Sequence, residues 1–186
     1  MSHPLPSGFQ YSGIACGIKN SGKPDLAMIV GDQPVVAAGV YTQNVVHAAS
    51  IDWNRARTPG AQIRGVVINS GNANACTGEQ GVADNEEFAR LAATELGSEP
   101  DQILVLSTGI IGEPLPMDKI SVGAQQGGAD LGADDAAFDR AALAITTTDQ
   151  FVKTASRQIS TPQGTITLKG MAKGAGMILS LIHISE

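Results

Sequence analysis

The chain has 186 residues, 42% of them hydrophobic, 16% charged and 4% aromatic, with a net charge of −6 from 12 basic and 18 acidic side chains. A chain of this length can bury roughly 70% of its unfolded surface, which suits one domain, or one large domain with a small lobe, and excludes a disordered segment. No apolar run approaches the roughly 18 residues of a membrane span, and the basic residues are scattered singly, so neither a membrane nor a nucleic acid is an expected partner.

Residues 1–12 read as an extended lead-in. Asp25–Gly31 and Val35–Tyr41 are short apolar runs bounded by Pro and Gly, and both predict buried strands. Arg64–Asn69 predicts a third strand, which empties into a polar turn, Ser70–Asn74. Asp84 and Glu87 have the spacing of a capping box and predict a helix opening there, with Phe88, Leu91, Ala92 and Leu96 on its apolar face. Gly97 suits the left-handed residue that closes that helix, and Pro100 prevents its resumption.

Gln102–Leu106 predicts another buried strand, running directly into Ser107-Thr-Gly-Ile-Ile-Gly112. Helices follow over Met117–Gln126 and Asp134–Ala144, the second with Phe138, Ala141, Ala142 and Ile145 on one side. Arg157–Ser160 and Gly164–Leu168 read as strands joined by the turn Thr161-Pro-Gln-Gly164. Strands outnumber helices and do not alternate with them regularly, so the expected class is α+β, with layered sheets and packed helices, rather than a doubly wound sheet.

Several motifs invite a chemical reading. Gly17-Ile-Lys-Asn-Ser-Gly22-Lys23 has phosphate-loop spacing, but Pro24 stands where Ser or Thr should hold magnesium and a strand follows instead of a helix, which favours a polar hairpin-like turn over nucleotide binding. Gly174-Ala-Gly176 lacks the third glycine of a dinucleotide fingerprint. His3, His47 and His183 lie far apart with no partner at ligand spacing, so no metal is expected. Cys16 and Cys76 are too few for a disulfide framework and read as reduced thiols of a cytoplasmic protein. Nothing in the first residues resembles an export signal.

Ser107-Thr108-Gly109 is more informative. A strand end brings a hydroxyl and a glycine N–H to one point, the arrangement that a developing oxyanion needs, and a plain Ser/Thr turn is the competing reading. Thr146-Thr-Thr-Asp149 places hydroxyls at a helix end, and Lys173 sits among glycines, where it could hold an anion or simply face solvent.

Together these segments resemble the ornithine acetyltransferase family, also called glutamate N-acetyltransferases, of arginine biosynthesis. The resemblance is carried by Gly13–Lys23, Val67–Gly78, Ser107–Ile120, Thr147–Asp149 and Lys173–Ile178, in that order. It implies a self-processing fold, made as one precursor that cuts itself into two chains. It also implies a threonine at the new N-terminus that takes acetyl from N-acetylornithine, releasing ornithine, and passes it to glutamate to give N-acetylglutamate. No cofactor is implied, and acetyl-CoA is a donor only in members that also make N-acetylglutamate from scratch. Carried over residue by residue, the side chain of Thr108 and the backbone of Gly109 would form the oxyanion hole, and Thr147 and Lys173 would contact substrate.

In the family, the glycine-rich Lys173 motif is followed by Pro-Asn-Met-Ala-Thr, whose threonine is the nucleophile. Here Leu179–Glu186 follows and Ile184 falls at that position. The expectation is therefore a first-chain portion over 1–178, an inactive one, with 179–186 a foreign or read-through tail. The missing second chain is the expected partner, in an assembly of two copies of each. The alternative is a non-catalytic amino-acid-binding module on the same scaffold.

Overall fold

The structure is a computed structural model that describes residues 4–174. The expected tail at 179–186 and the position of Ile184 lie outside the described residues.

Four strands form one mixed sheet in the order β1-β2-β3-β4, where β1 is Phe9–Ile14, β2 Leu26–Ala37, β3 Gly60–Asn72 and β4 Ile103–Ile110. β1 runs antiparallel to β2 and β2 antiparallel to β3. β3 and β4 are parallel, in register from Gly65 opposite Ile103 to Gly71 opposite Gly109. A parallel pair requires a crossover, and helix α2, Gly78–Leu96, supplies it.

Because strand side chains alternate between faces, β2 feeds two cores. Leu26, Met28 and Val30 join Val67, Ile103 and Val105 beneath α2 and α3 (Met117–Ala129), around the fully buried Phe88. Ala27 joins Tyr11 and Ile68 on the opposite face, against Phe138, Ala141 and Ala142 of α4, Asp135–Ala144. The Tyr11 and Phe138 rings meet edge to face at 5.3 Å. Asp134 caps α4 by accepting from the Ala137 N–H at 2.7 Å. Gly97 closes α2 in the left-handed conformation, as its sequence position predicts.

The last two strands, β5 (Lys153–Thr161) and β6 (Gly164–Ala172), form a separate antiparallel pair turning at Thr161–Gly164. Met171 packs beside Phe138's core, and the Lys169 ammonium lies 4.8 Å from the Phe138 ring centroid and 3.8 Å from Asp135. Most of the hairpin's other side chains remain exposed.

Several local expectations need correction. The lead-in ends as strand β1, paired to β2 from Phe9 to Ile14. The two runs at Asp25–Gly31 and Val35–Tyr41 form one bulged strand that stops at Ala37, because register shifts around Asp32–Pro34 absorb the breaker. Ser70–Asn72 continue β3. The capping box at Asp84 does not exist: α2 begins six residues earlier, and Asp84 is a buried interior residue accepting from Gln80 Nε2 at 2.7 Å. Helix α1, Ala49–Arg55, has no sequence-level start signal and is fixed instead by tertiary bonds. Trp53 Nε1 donates to the Ile103 carbonyl at 2.8 Å, and the Asn54 side chain bonds both the N–H and the carbonyl of Val105 at 3.0 and 2.8 Å.

Candidate active site

The parallel pair β3–β4 ends in a cleft of about 890 Å³. Three separate segments meet there. β4 delivers Ser107, Thr108 and Gly109; the chain leaving α4 delivers Thr147; the residue after β6 is Lys173. The Lys173 ammonium donates to the Thr108 hydroxyl at 2.7 Å and to the Thr147 hydroxyl at 2.8 Å. The four residues singled out from the sequence, Thr108, Gly109, Thr147 and Lys173, therefore line one cavity, although 65 positions separate Thr108 from Lys173.

An ammonium has only protons to give, so both threonine oxygens act as acceptors towards Lys173. Each hydroxyl proton must then point elsewhere, and the cation beside it makes that proton a stronger donor. This arrangement orients and polarises Thr108 without any change in its own charge.

Asp149 sets the position of Lys173. Its side chain is completely buried. One oxygen accepts from the Thr147 N–H at 3.1 Å; the other accepts from the Lys153 ammonium at 2.6 Å and the Gly174 N–H at 2.7 Å. Burial alone would raise its carboxyl pKa, but donation from Lys153, Gly174 and Thr147 outweighs it and holds the group well below the usual carboxylate range. Asp149 thus ties the helix end that carries Thr147 to both ends of the hairpin, next to Lys173.

Gly109 has φ +141°, and a Cβ there would lie 2.3 Å from the Gly71 carbonyl carbon and 2.5 Å from the Asn72 nitrogen. Close approach by β3 therefore demands a glycine here, whatever its N–H donates to.

The asparagines of the Val67–Gly78 motif hold the cleft's rim. Asn72 Nδ2 donates to the Glu113 and Pro114 carbonyls at 3.0 and 2.9 Å, its Oδ1 accepts from the Asn74 N–H at 2.8 Å, and Asn74 Nδ2 reaches the Gly81 carbonyl at 2.8 Å. Their amides serve the scaffold.

One functional candidate escaped the sequence reading. The Gly17–Lys23 segment is the turn between β1 and β2, as expected, but it also forms a wall of the cleft through Ile18, Lys19 and Asn20. The fully buried Asp25 pins it, accepting from the Cys16 and Lys19 N–H groups at 2.8 and 2.9 Å and from Cys16 Sγ at 3.2 Å. Burial, then Asp25's hydrogen bond and charge, push the Cys16 thiol up to about 12. The Lys19 ammonium donates to the Pro24 carbonyl at 2.8 Å and to the Ala144 carbonyl at 3.5 Å. Desolvation lowers its pKa against the pull of Asp25, with Lys23 and Lys173 adding to the depression. Only the turn's backbone geometry brings Lys19 here, so no side-chain pattern announced it.

The sequence model of the ArgJ family matches residues 10–182. The chain belongs to the ArgJ family. The arginine biosynthesis bifunctional protein ArgJ of Rhodopirellula baltica is 46% identical over 177 residues, covering 95% of this chain and 43% of that protein. Its counterpart in Symbiobacterium thermophilum is 48% identical, over 93% of this chain and 43% of its own length. The chain thus spans less than half the length of these curated ArgJ relatives. Among solved structures, the ornithine acetyltransferase of Mycobacterium tuberculosis, complexed with ornithine, superposes with a TM-score of 0.86 at 40% identity, covering 93% of this chain and 91% of that one. The Bacillus halodurans ArgJ protein gives 0.87 at 35% identity, covering 92% and 89%. The α+β class expected from the sequence is thereby the ArgJ architecture.

Proposed function

We propose that this ArgJ chain supplies the oxyanion-binding and substrate-holding half of an acetyltransferase site, one that moves acetyl from N-acetylornithine to glutamate through an acyl-threonine. The observation that carries the reading is the Lys173 ammonium bridging the Thr108 and Thr147 hydroxyls across the cleft. In this mechanism the nucleophilic threonine comes from family sequence that this chain does not hold, Ile184 standing at its position. The threonine oxygen attacks the acetyl carbonyl carbon. The Thr108 hydroxyl, its proton turned outward by Lys173, and the Gly109 N–H donate to the oxygen that becomes negative. Collapse of the tetrahedral species expels ornithine, protonated at the departing nitrogen, and leaves acetyl on the threonine. The α-amine of glutamate then attacks that ester and regenerates the hydroxyl. Lys173 and Thr147 hold the α-carboxylate common to both amino acids.

The reading extends to self-cleavage of a precursor, to a partner chain in an assembly of two copies of each, to acetyl-CoA as donor in some members, and to a cytoplasmic location. The ornithine complex of the Mycobacterium tuberculosis relative, at 40% identity, supports the substrate class.

Joining the chain to the remaining portion of a full-length relative and assaying transfer from N-acetylornithine to glutamate tests the reading. The joined protein transfers acetyl, and the 186-residue chain alone does not. Thr108→Val and Lys173→Met each lower kcat/KM by about 10²-fold or more, in the range measured for loss of one oxyanion donor. Turnover by the chain alone, or joined variants as active as the parent, would overturn it. Binding of N-acetylornithine without turnover by the joined protein would favour the non-catalytic module.

A further inference from the structure

The sheet face covered by α4 holds a pocket of its own. It lies where β1, β2, α4 and β6 meet, encloses about 280 Å³, and shares no lining residue with the cleft. Its walls include Phe9, Tyr11, Ile29, Phe138 and Met171, and Lys169 stands among them. Side chains alternate along β6, so Lys169 and Met171 turn towards the sheet while Leu168 between them in parity stays half exposed.

Two polar groups in this apolar lining have no hydrogen-bond acceptor. The Lys169 side chain is 9% exposed, and its ammonium makes no hydrogen bond among the described residues. It lies 4.8 Å from the Phe138 ring centroid. The Asp135 carboxylate beside it is 3.8 Å away, beyond hydrogen-bond length, and is 67% exposed to solvent. Tyr11 is 4% exposed, and its hydroxyl also makes no hydrogen bond among the described residues. Burial raises its pKa, so it remains a protonated donor at neutral pH. Buried donors of this kind cost free energy until an acceptor meets them. A carboxylate accepts from both, and the surrounding rings and aliphatic groups favour a hydrocarbon tail behind it. The volume stands at the low end of small-molecule pockets, which sets the ligand's size.

We propose that this pocket binds a small carboxylic acid with an apolar tail, its carboxylate held by the Lys169 ammonium and the Tyr11 hydroxyl and its tail packed against Phe9, Ile29 and Met171. The site is separate from acetyl transfer and stands whether or not that reading holds.

Nuclear magnetic resonance titration of the 186-residue chain with three probes tests it. The probes are 3-phenylpropionate, its neutral amide 3-phenylpropanamide, and acetate, which has the charge without the tail. 3-Phenylpropionate binds about ten-fold or more tightly than either of the others, as expected for charge-assisted contacts joined to apolar burial. Intermolecular Overhauser contacts run from its ring protons to the Phe138 ring and the Met171 methyl group. Lys169→Met and Tyr11→Phe each weaken its binding by about ten-fold and leave the amide's affinity within about two-fold. Circular dichroism checks that both variants fold. If Lys169→Met does not, Tyr11→Phe, which keeps the ring that packs on Phe138, and the three probes on the unsubstituted chain decide. No binding of 3-phenylpropionate, equal affinity for acid and amide, contacts confined to the Thr108 cleft, or an unchanged affinity in either folded variant overturns the proposal.

Discussion

The four-stranded sheet and the β5–β6 hairpin are built on opposite plans. The sheet is sandwiched between helices, with α2 and α3 on one face and α4 on the other, and its central strands have side chains buried on both sides. The hairpin has two strands and no helix over most of its surface; Ile159, Ile166 and Leu168 are each about half exposed. A two-stranded ribbon of this kind is marginal by itself, and among the described residues its two strands pair only with each other. Yet Lys173 lies at the end of the weaker unit and its two hydroxyl partners on the stronger one. The site therefore depends on how firmly the hairpin is fastened, not only on how well the sheet is packed.

The largest expected effect separates the two plans directly. Phe88 is completely buried in the core beneath α2, so Phe88→Ala should cost about 3–5 kcal/mol of unfolding free energy. Leu168, 51% exposed on β6, should cost about 1 kcal/mol or less on the same substitution. Urea denaturation of both variants checks this. Equal losses would mean that the hairpin is as much a part of the cooperative core as α2, and would collapse the distinction.

A middle-sized effect probes where the sheet itself is tightest. Gly109→Ala forces a Cβ to within 2.3 Å of the Gly71 backbone at a φ of +141°. It should cost about 2–4 kcal/mol, with the loss seen as a lower denaturation midpoint. A neutral Gly109→Ala would mean that the strand ends separate freely and that the glycine serves a ligand alone.

Legibility in the sequence followed the same division. The buried strands declared themselves by apolar runs, and α4 by Asp134 followed by a 3.6-residue pattern. The start of α2 did not, because Gly78 and Gly81 disguise its first turns and Asp84 mimics a cap. α1 was invisible because Trp53 and Asn54 anchor it to β4, 50 residues away in sequence. The motifs placed Thr108, Gly109, Thr147 and Lys173, and the structure brings all four to one cleft. They did not show that Asp149 is the clamp behind Lys173, nor that Lys19 faces the same space. Both facts are products of chain closure: a buried carboxylate looks like any other Asp until three donors surround it.

That clamp gives the smallest and most specific test. In the folded protein Asp149 stays ionised below the usual carboxylate range, despite its burial, because Lys153, Gly174 and Thr147 donate to it. A carboxyl whose folded pKa is depressed contributes stability that is fully present above its unfolded pKa, near 4, and is lost as pH falls through that value towards the folded one. Asp149→Asn removes the charge but keeps the shape, so it should cost about 1–3 kcal/mol at pH 7, discounted from a fully buried pair because Lys153 is one-third exposed. Below pH 4 the gap between parent and variant should narrow, because the unfolded parent takes up a proton at Asp149 that the folded parent still excludes. Thermal melts of both proteins from pH 7 down to pH 3 check this. A gap that stays constant across that range would mean that Asp149 acts by shape alone, and that the hairpin is fastened by the Met171 and Lys169 contacts to Phe138 instead.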